Sequence, residues 1–324
     1  MSLTDSHQPK TAGGATKPAV FVDGGSGTTG LGIAERLRLQ NDVVVKNIAE
    51  DKRKDAGAKR ALMEEVDLVI LCLPDDAAKE TVALIDSMGA SAPKVLDAST
   101  AFRVASDWAY GFPELTPDQA DKIRTARKVS NPGCYPTGGI ALLRPLVDAG
   151  LLPADYPVTI NAVSGYSGGG KSMIASFEDG SAPSFELYGL GFEHKHLPET
   201  QLYSKLTRRP IFVPSVGNYR QGMLVSVPLH LDTLPGGPRG AELHEALDEF
   251  YTGCTYVRVL ESADGKLEPE ALNDTNRLEL CVYANEARRQ AVLVARLDNL
   301  GKGASGAAVQ NLCLMLGLEG VRVS

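Results

Sequence analysis

The sequence predicts an α/β protein: a Rossmann-like, doubly wound dinucleotide-binding domain joined to an α+β catalytic domain. Three observations predict it. Continuous apolar runs alternate with helical stretches from Ala19 to Val129, the pattern of a parallel sheet covered on both faces. The first run passes directly into a loop of spaced glycines that opens a helix. Beyond Pro157 the strand-like runs follow one another through short turns, which indicates an antiparallel or mixed sheet.

Met1 to Lys17 is polar, without the apolar run of a signal peptide, and predicts a disordered tail. Ala19-Val20-Phe21-Val22 is the first strand. Asp23-Gly24-Gly25-Ser26-Gly27-Thr28-Thr29-Gly30 follows it, and then a helix over Leu31–Leu39. Gly24, Gly27 and Gly30 have G-x-x-G-x-x-G spacing, which allows a tight turn and lets backbone approach a pyrophosphate at a helix N-terminus. Ser26, Thr28 and Thr29 complete the candidate cofactor loop. Further strands are expected at Val43–Val45, Asp67–Pro74, Val95–Asp97 and Arg127–Val129, with helices such as Lys52–Glu65 and Asp75–Met88 between them. Glu50-Asp51-Lys52-Arg53-Lys54 holds both acidic and basic residues. Lys52 or Arg53 is placed to meet a cofactor 2′-phosphate, and a solvated helix start would read the same way.

Ser130-Asn131-Pro132-Gly133-Cys134-Tyr135-Pro136-Thr137-Gly138-Gly139 joins the last of these strands to a helix over Thr137–Ala149, whose stripe is Ile140, Leu142, Leu143, Leu146 and Val147. Cys134 is thus at or just before a helix N-terminus, where unpaired N–H groups and the helix dipole favour a thiolate. It reads as a nucleophile. A structural cysteine beside a turn would share the local pattern.

The strand Pro157–Val163 leads into Ser164-Gly165-Tyr166-Ser167-Gly168-Gly169-Gly170-Lys171, which lacks the Walker spacing. Its backbone N–H groups, Ser167 and Lys171 are candidate contacts to an anionic substrate. His194-Lys195-His196-Leu197-Pro198-Glu199 holds two of the five histidines. A cysteine nucleophile needs a base; His196 is the first candidate and His194 the alternative. Arg103 follows the fourth strand, at the end where open α/β sheets bind ligands, and its planar fork suits phosphate. Arg220 sits in a turn between two strands that an anion could reach. A helix is expected at Gly240–Tyr251. Asn299 lies in the glycine-rich Asp298–Asn311 run, which allows close approach to a cofactor.

A chain of 324 residues is long enough for two domains with their own cores. Its net charge of -7 argues against a nucleic-acid surface. Nothing approaches the ~18 consecutive apolar residues of a membrane span. The five cysteines (72, 134, 254, 281, 313) form no C-x-x-C pair, so no zinc site or disulfide framework is expected and a reducing cytoplasm is.

In its cysteine segment, its His-Lys-His segment, Trp108–Leu115 and Asp298–Asn311, in that family's order, the chain resembles the shorter branch of the N-acetyl-γ-glutamyl-phosphate reductases. The resemblance implies an NADP-dependent semialdehyde dehydrogenase fold and arginine biosynthesis. It implies that Cys134 displaces phosphate from an acyl phosphate to form a thioacyl enzyme, that His196 moves the proton, and that Arg103 holds the phosphate. It also implies a C-terminal helix that returns to the first domain. The domains are then 18–134 with 302–324 for NADP, and 135–301 for catalysis and assembly into a homo-oligomer, a dimer or tetramer. Three alternatives stay open: an aspartate-semialdehyde dehydrogenase, a reductase of an aminoadipyl phosphate in lysine synthesis, which differs by one methylene, and a dinucleotide-sensing regulator without turnover.

Overall fold

The computed structural model describes residues 16–53, 55–261 and 265–320. The expected tail falls almost wholly outside the described residues.

The chain opens with β1 (Ala19–Asp23), α1 (Thr28–Leu39), β2 (Val44–Lys46), α2 (Ala56–Met63), β3 (Leu68–Leu71), α3 (Asp75–Asp86), β4 (Lys94–Asp97), β5 (Ala109–Tyr110), α4 (Gln119–Thr125) and β6 (Lys128–Ser130). These strands form one parallel sheet in the order β2-β1-β3-β4-β6-β5. Leu68, Val69, Ile70 and Leu71 of β3 are all buried, as a strand covered on both faces requires.

Next come α5 (Cys134–Asp148), β7 (Thr159–Gly165), α6 (Gly170–Glu178), β8 (Phe185–Leu187), α7 (Leu197–Tyr203), β9 (Ile211–Gly217), β10 (Met223–His230), α8 (Gly240–Tyr251), β11 (Val257–Leu260), β12 (Leu278–Asn285) and β13 (Gln290–Leu297). Their sheet is mixed and runs β11-β12-β13-β10-β7-β9-β8, with parallel pairs at β7/β9 and β11/β12. A π-helical turn, Gly301–Ser305, then leads into α9 (Gly306–Leu316). Ala308, Val309 and Leu312 of α9 share a buried cluster with Val20, Ile33, Leu68 and Leu96, so the chain's end packs on the first sheet.

Helix α5 is buried from Tyr135 to Leu146, on every side rather than along one stripe. It presses on the second sheet at Gly138, where a Cβ would come 2.9 Å from Val225 Cγ2. Pro145 sits inside it and frees the carbonyl of Ala141. The Tyr251 hydroxyl donates to that carbonyl at 3.0 Å.

Several boundaries differ from expectation. Helices α1 and α5 begin earlier, at Thr28 and Cys134. The expected Lys52–Glu65 helix is interrupted: a short turn covers Glu50–Lys52, and Asp55 caps α2 by accepting from Ala58 N at 2.7 Å. Strands β5 and β8 were not foreseen, being too short to show periodicity.

Candidate active site

The turn from β6 into α5 is the centre. Asn131 N donates to Asp97 O at 2.7 Å, which fixes the turn to the end of β4. Gly133 is the N-cap of α5 and Cys134 its first residue. A Cβ at position 133 would lie 2.7 Å from Arg103 Nη1, 2.7 Å from His196 Nε2 and 2.8 Å from Glu199 Oε1. Three polar side chains therefore converge on the residue before the cysteine, and only glycine leaves them room.

Glu199 ties them together. Its Oε1 accepts from Arg103 Nη1 at 2.6 Å, and its Oε2 accepts from Tyr110 OH at 2.7 Å and from Gly133 N at 3.1 Å. Glu199 is 1% exposed and Arg103 7%. These three donors satisfy the Glu199 carboxylate and offset the cost of burying its charge. Glu199 closes the His-Lys-His segment, and its role lies in partners far from it in sequence. The available signal was its spacing from His196, which caps α7 and puts both residues in one helical turn. Arg103 is also less free than expected. Nη1 is engaged by Glu199 and Nη2 by Ala98 O at 3.3 Å, which leaves Nε without a partner.

The thiol departs from expectation. Burial pushes Cys134 up to about 11, although the Tyr135 N–H and the Arg103 charge favour the thiolate. A helix terminus contributes at most about 2 kcal/mol even in partly buried sites, and burial exceeds it here. His196 is held well below the ordinary imidazole range by burial and then by Arg103, His194 and Lys195. Burial and Lys195 bring His194 to about 4. Both imidazoles are neutral at neutral pH, so the resting pair is a neutral thiol beside a neutral base. His194 Nδ1 accepts from His196 N at 3.2 Å.

Cys134 and His196 stand between two cavities, and both line each of them. One cavity, of about 280 Å³, reaches the glycine loop and includes Gly27, Thr28, Thr29 and Gly30. Gly24 has φ +85°, and a Cβ there would sit 2.3 Å from Cys72 O. A Cβ at Gly30 would strike Gly24 O at 2.6 Å. These two glycines are demanded by the protein itself. At Gly27 an added Cβ meets nothing nearer than Gly24 O at 3.7 Å, so the space it leaves open belongs to the cavity. A cradle of bare backbone at the N-terminus of α1 fits a dinucleotide pyrophosphate. Asn299 and Ser167 line the same cavity. Asn299 Oδ1 accepts from Gly222 N at 2.7 Å and Nδ2 donates to Ser167 Oγ at 3.0 Å, so this amide holds the glycine-rich turn in place.

The other cavity, of about 190 Å³, is walled by Tyr135, Met173, Tyr188, His194 and Val216. Tyr188 OH donates to Tyr135 OH at 3.0 Å, and Tyr135 OH donates to Ser215 O at 3.2 Å.

Other residues singled out from the sequence lie elsewhere. Ser26 is exposed and lines neither cavity. Lys52 and Arg53 are exposed outside both, and Arg53 pairs with Glu50 at 3.5 Å. Lys171 is exposed outside both as well. Arg220 pairs with Glu178 at 3.0 Å and borders a separate cleft beside Gln221 and Leu300. A glycine-rich turn gives a position but not the direction of its flanking side chains. Lys195, between the two histidines, lines both cavities. Among the described residues, no group of three or more His, Cys, Asp or Glu is arranged to hold a metal.

Residues 19–123 match the family described as semialdehyde dehydrogenase, NAD binding domain, and 134–299 match semialdehyde dehydrogenase, dimerisation domain. The N-acetyl-gamma-glutamyl-phosphate reductase of Trichormus variabilis is 51% identical over 317 residues, covering 93% of this chain and 98% of that relative. The proteins of the same name from Chelativorans sp. and Brucella suis are 52% and 53% identical, covering 92% and 93% of this chain and 97% and 99% of those relatives. Among solved structures, aspartate semialdehyde dehydrogenase II of Vibrio cholerae, complexed with ASA, aligns with TM-score 0.69 at 17% identity, over 94% of this chain and 99% of that one. Aspartate semialdehyde dehydrogenase with NADP from Candida albicans aligns with TM-score 0.61 at 15% identity, over 93% and 99%. At such identities these two likenesses speak to the fold.

Proposed function

The chain belongs to the N-acetyl-gamma-glutamyl-phosphate reductase family of semialdehyde dehydrogenases, and from that premise we propose how its residues carry out the reaction. The family is NADP-dependent and serves arginine biosynthesis; it reduces N-acetyl-γ-glutamyl phosphate to N-acetyl-L-glutamate 5-semialdehyde and phosphate through a thioacyl cysteine.

Cys134 Sγ attacks the acyl carbon while His196 takes the thiol proton. The carbon–sulfur bond forms and the carbon–oxygen bond to phosphate breaks. The neutral imidazole and the protonated thiol support general-base attack rather than a standing thiolate. The N–H groups of Cys134 and Tyr135 lie at the start of α5, where no helical carbonyl takes them, and they steady the oxyanion. Lys195 and Arg103, which both line the glycine-loop cavity, receive the leaving phosphate, with Glu199 holding Arg103 and Gly133 in place. NADPH, when bound, supplies the hydride that takes the thioacyl carbon to the aldehyde level. Gly27, Thr28, Thr29 and Gly30 would hold its pyrophosphate, and Asn299, Leu300, Gly303 and Ala304 line the same cavity. Collapse of the oxyanion then releases the aldehyde and the Cys134 thiolate, which recovers its proton from His196.

The observation that carries this reading is the convergence of Arg103, His196 and Glu199 on Gly133, directly before a cysteine shared by two cavities. Among the described residues, no Asp or Glu lines the acyl-side cavity, which disfavours a substrate bearing a free ammonium. The experiment is phosphate-dependent reduction of NADP by N-acetylglutamate semialdehyde against aspartate semialdehyde. Turnover with the second substrate alone would sink the reading.

The packing of α9 on the first sheet supports division into 18–134 with 302–324 and 135–301. We also propose a homo-oligomer, a dimer or tetramer, built on the second sheet. Val213, Leu224, Val292 and Val294 line a shallow hollow of about 710 Å³ there, and Phe185 and Leu187 of β8 are exposed beside it. The five free cysteines support a reducing cytoplasm. No helix of the described residues is long and apolar enough to cross a membrane.

A further inference from the structure

We infer that Lys302, Glu114 and Gln310 form a positioning cluster that presses the Gly301–Ser305 turn against the nucleophile. The inference rests on Cys134 being that nucleophile.

Lys302 is 1% exposed. Its Nζ donates to both carboxylate oxygens of Glu114 at 2.9 Å and to Gln310 Oε1 at 2.7 Å. Gln310 Nε2 donates to Glu114 Oε1 at 2.9 Å, which closes the triangle. The ammonium also stands 5.5 Å from the Phe112 ring centre and 5.4 Å from that of Tyr256. Such a site is costly to build from charges, because an apolar trio of similar volume would stabilise a core as well or better. What a hydrogen-bonded ion pair adds is a defined geometry.

The geometry falls on the cysteine. Gly303 follows Lys302, and a Cβ there would sit 2.8 Å from Cys134 Cβ and 3.3 Å from its Cα. Ala304 O accepts from Asn131 Nδ2 at 3.0 Å, within the cysteine's own turn. Ser305 Oγ accepts from Arg36 Nε at 3.0 Å, on α1. Successive residues of the turn are thus keyed to Glu114, to the nucleophile, to Asn131 and to the helix of the glycine loop. A turn of π type, with its i→i+5 spacing, is often found at functional sites and needs outside support. Lys302 supplies it from the side away from the cavity, which it does not line.

The test uses the full chain. Lys302→Met alone would leave the Glu114 carboxylate buried without its cation, so the main variant is Lys302→Met with Glu114→Gln, whose new amide can still bond Gln310. Three quantities are read against wild type: the melting temperature, kcat and KM for phosphate-dependent NADP reduction, and the rate at which iodoacetamide alkylates Cys134. A folded variant is expected to lose at least about tenfold in kcat, towards the ~100-fold that a 1 Å misplacement brings, with little change in KM for the semialdehyde. Cys134 should alkylate severalfold faster, because a loosened Gly303 exposes a thiol whose burial suppresses ionisation. Gln310→Met, which keeps the ion pair, should move both readouts the same way by less. A folded double variant with kcat within about twofold of wild type and unchanged alkylation would overturn the inference. Faster alkylation beside a wild type that does not turn over would support the positioning role and remove the functional reading instead.

Discussion

The imidazole of His196 occupies the space that a side chain on Gly133 would need: a Cβ there would lie 2.7 Å from His196 Nε2. The glycine is required by its neighbours and not by its own backbone, whose φ of -74° suits any residue. Gly133→Ala should therefore fold, at the ~1–3 kcal/mol that overpacking costs, and lose activity by about a hundredfold or more as the base is displaced. Thermal melting and kcat measured together check this. An active alanine variant would mean that His196 does not work where it stands.

Glu199→Gln keeps the shape of the buried carboxylate and removes its charge. Arg103 then remains buried without its partner. Breaking such a pair costs about 3–5 kcal/mol, so the variant should be clearly less stable in urea. With its amide oxygen kept toward Gly133 N and Tyr110 OH, the variant turns its NH2 group toward Arg103 Nη1, donor against donor, and kcat should fall as well.

Activity and thiol reactivity should respond differently to pH. Burial places Cys134 at about 11, above the ordinary thiol value of 9.0, so its thiolate fraction and its alkylation rate should keep rising with pH to about 11. His196 must be neutral to act as a base, and its imidazole is held well below 6.5. The acid limb of kcat/KM should accordingly lie below 6.5. An alkylation plateau near neutrality would show a preformed thiolate and contradict the neutral pair.

Tyr251→Phe tests the core independently of the chemistry. It leaves the Ala141 carbonyl, already without a helical donor because of Pro145, buried and unsatisfied. The expected loss is about 1–3 kcal/mol in unfolding free energy with kcat nearly unchanged. Adding Pro145→Ala restores a backbone N–H four residues on and should recover part of the loss.

What the sequence makes legible is local. The glycine loop, the cysteine turn and the His-Lys-His segment are short contiguous patterns, and each comes to line a cavity around Cys134. The roles that stayed hidden depend on distant partners. Glu199 matters through Arg103, 96 residues away in the chain. Lys302 matters through Glu114, at a separation of 188. Lys171 and Arg220 stand outside both cavities, because the position of a turn does not determine where a long side chain on it points. The ionisation of Cys134 divides in the same way: the helix terminus that favours the thiolate is visible in sequence, whereas the enclosure by Gly303 and its neighbours that opposes it is not.

The most direct measurement is the mass of the protein after mixing with N-acetyl-γ-glutamyl phosphate in the absence of NADPH. The account predicts one N-acetylglutamyl group per chain, mapped to Cys134, sensitive to hydroxylamine, formed far more slowly in His196→Asn and absent in Cys134→Ser. No adduct in the wild type, or an adduct that survives in Cys134→Ser, would contradict it.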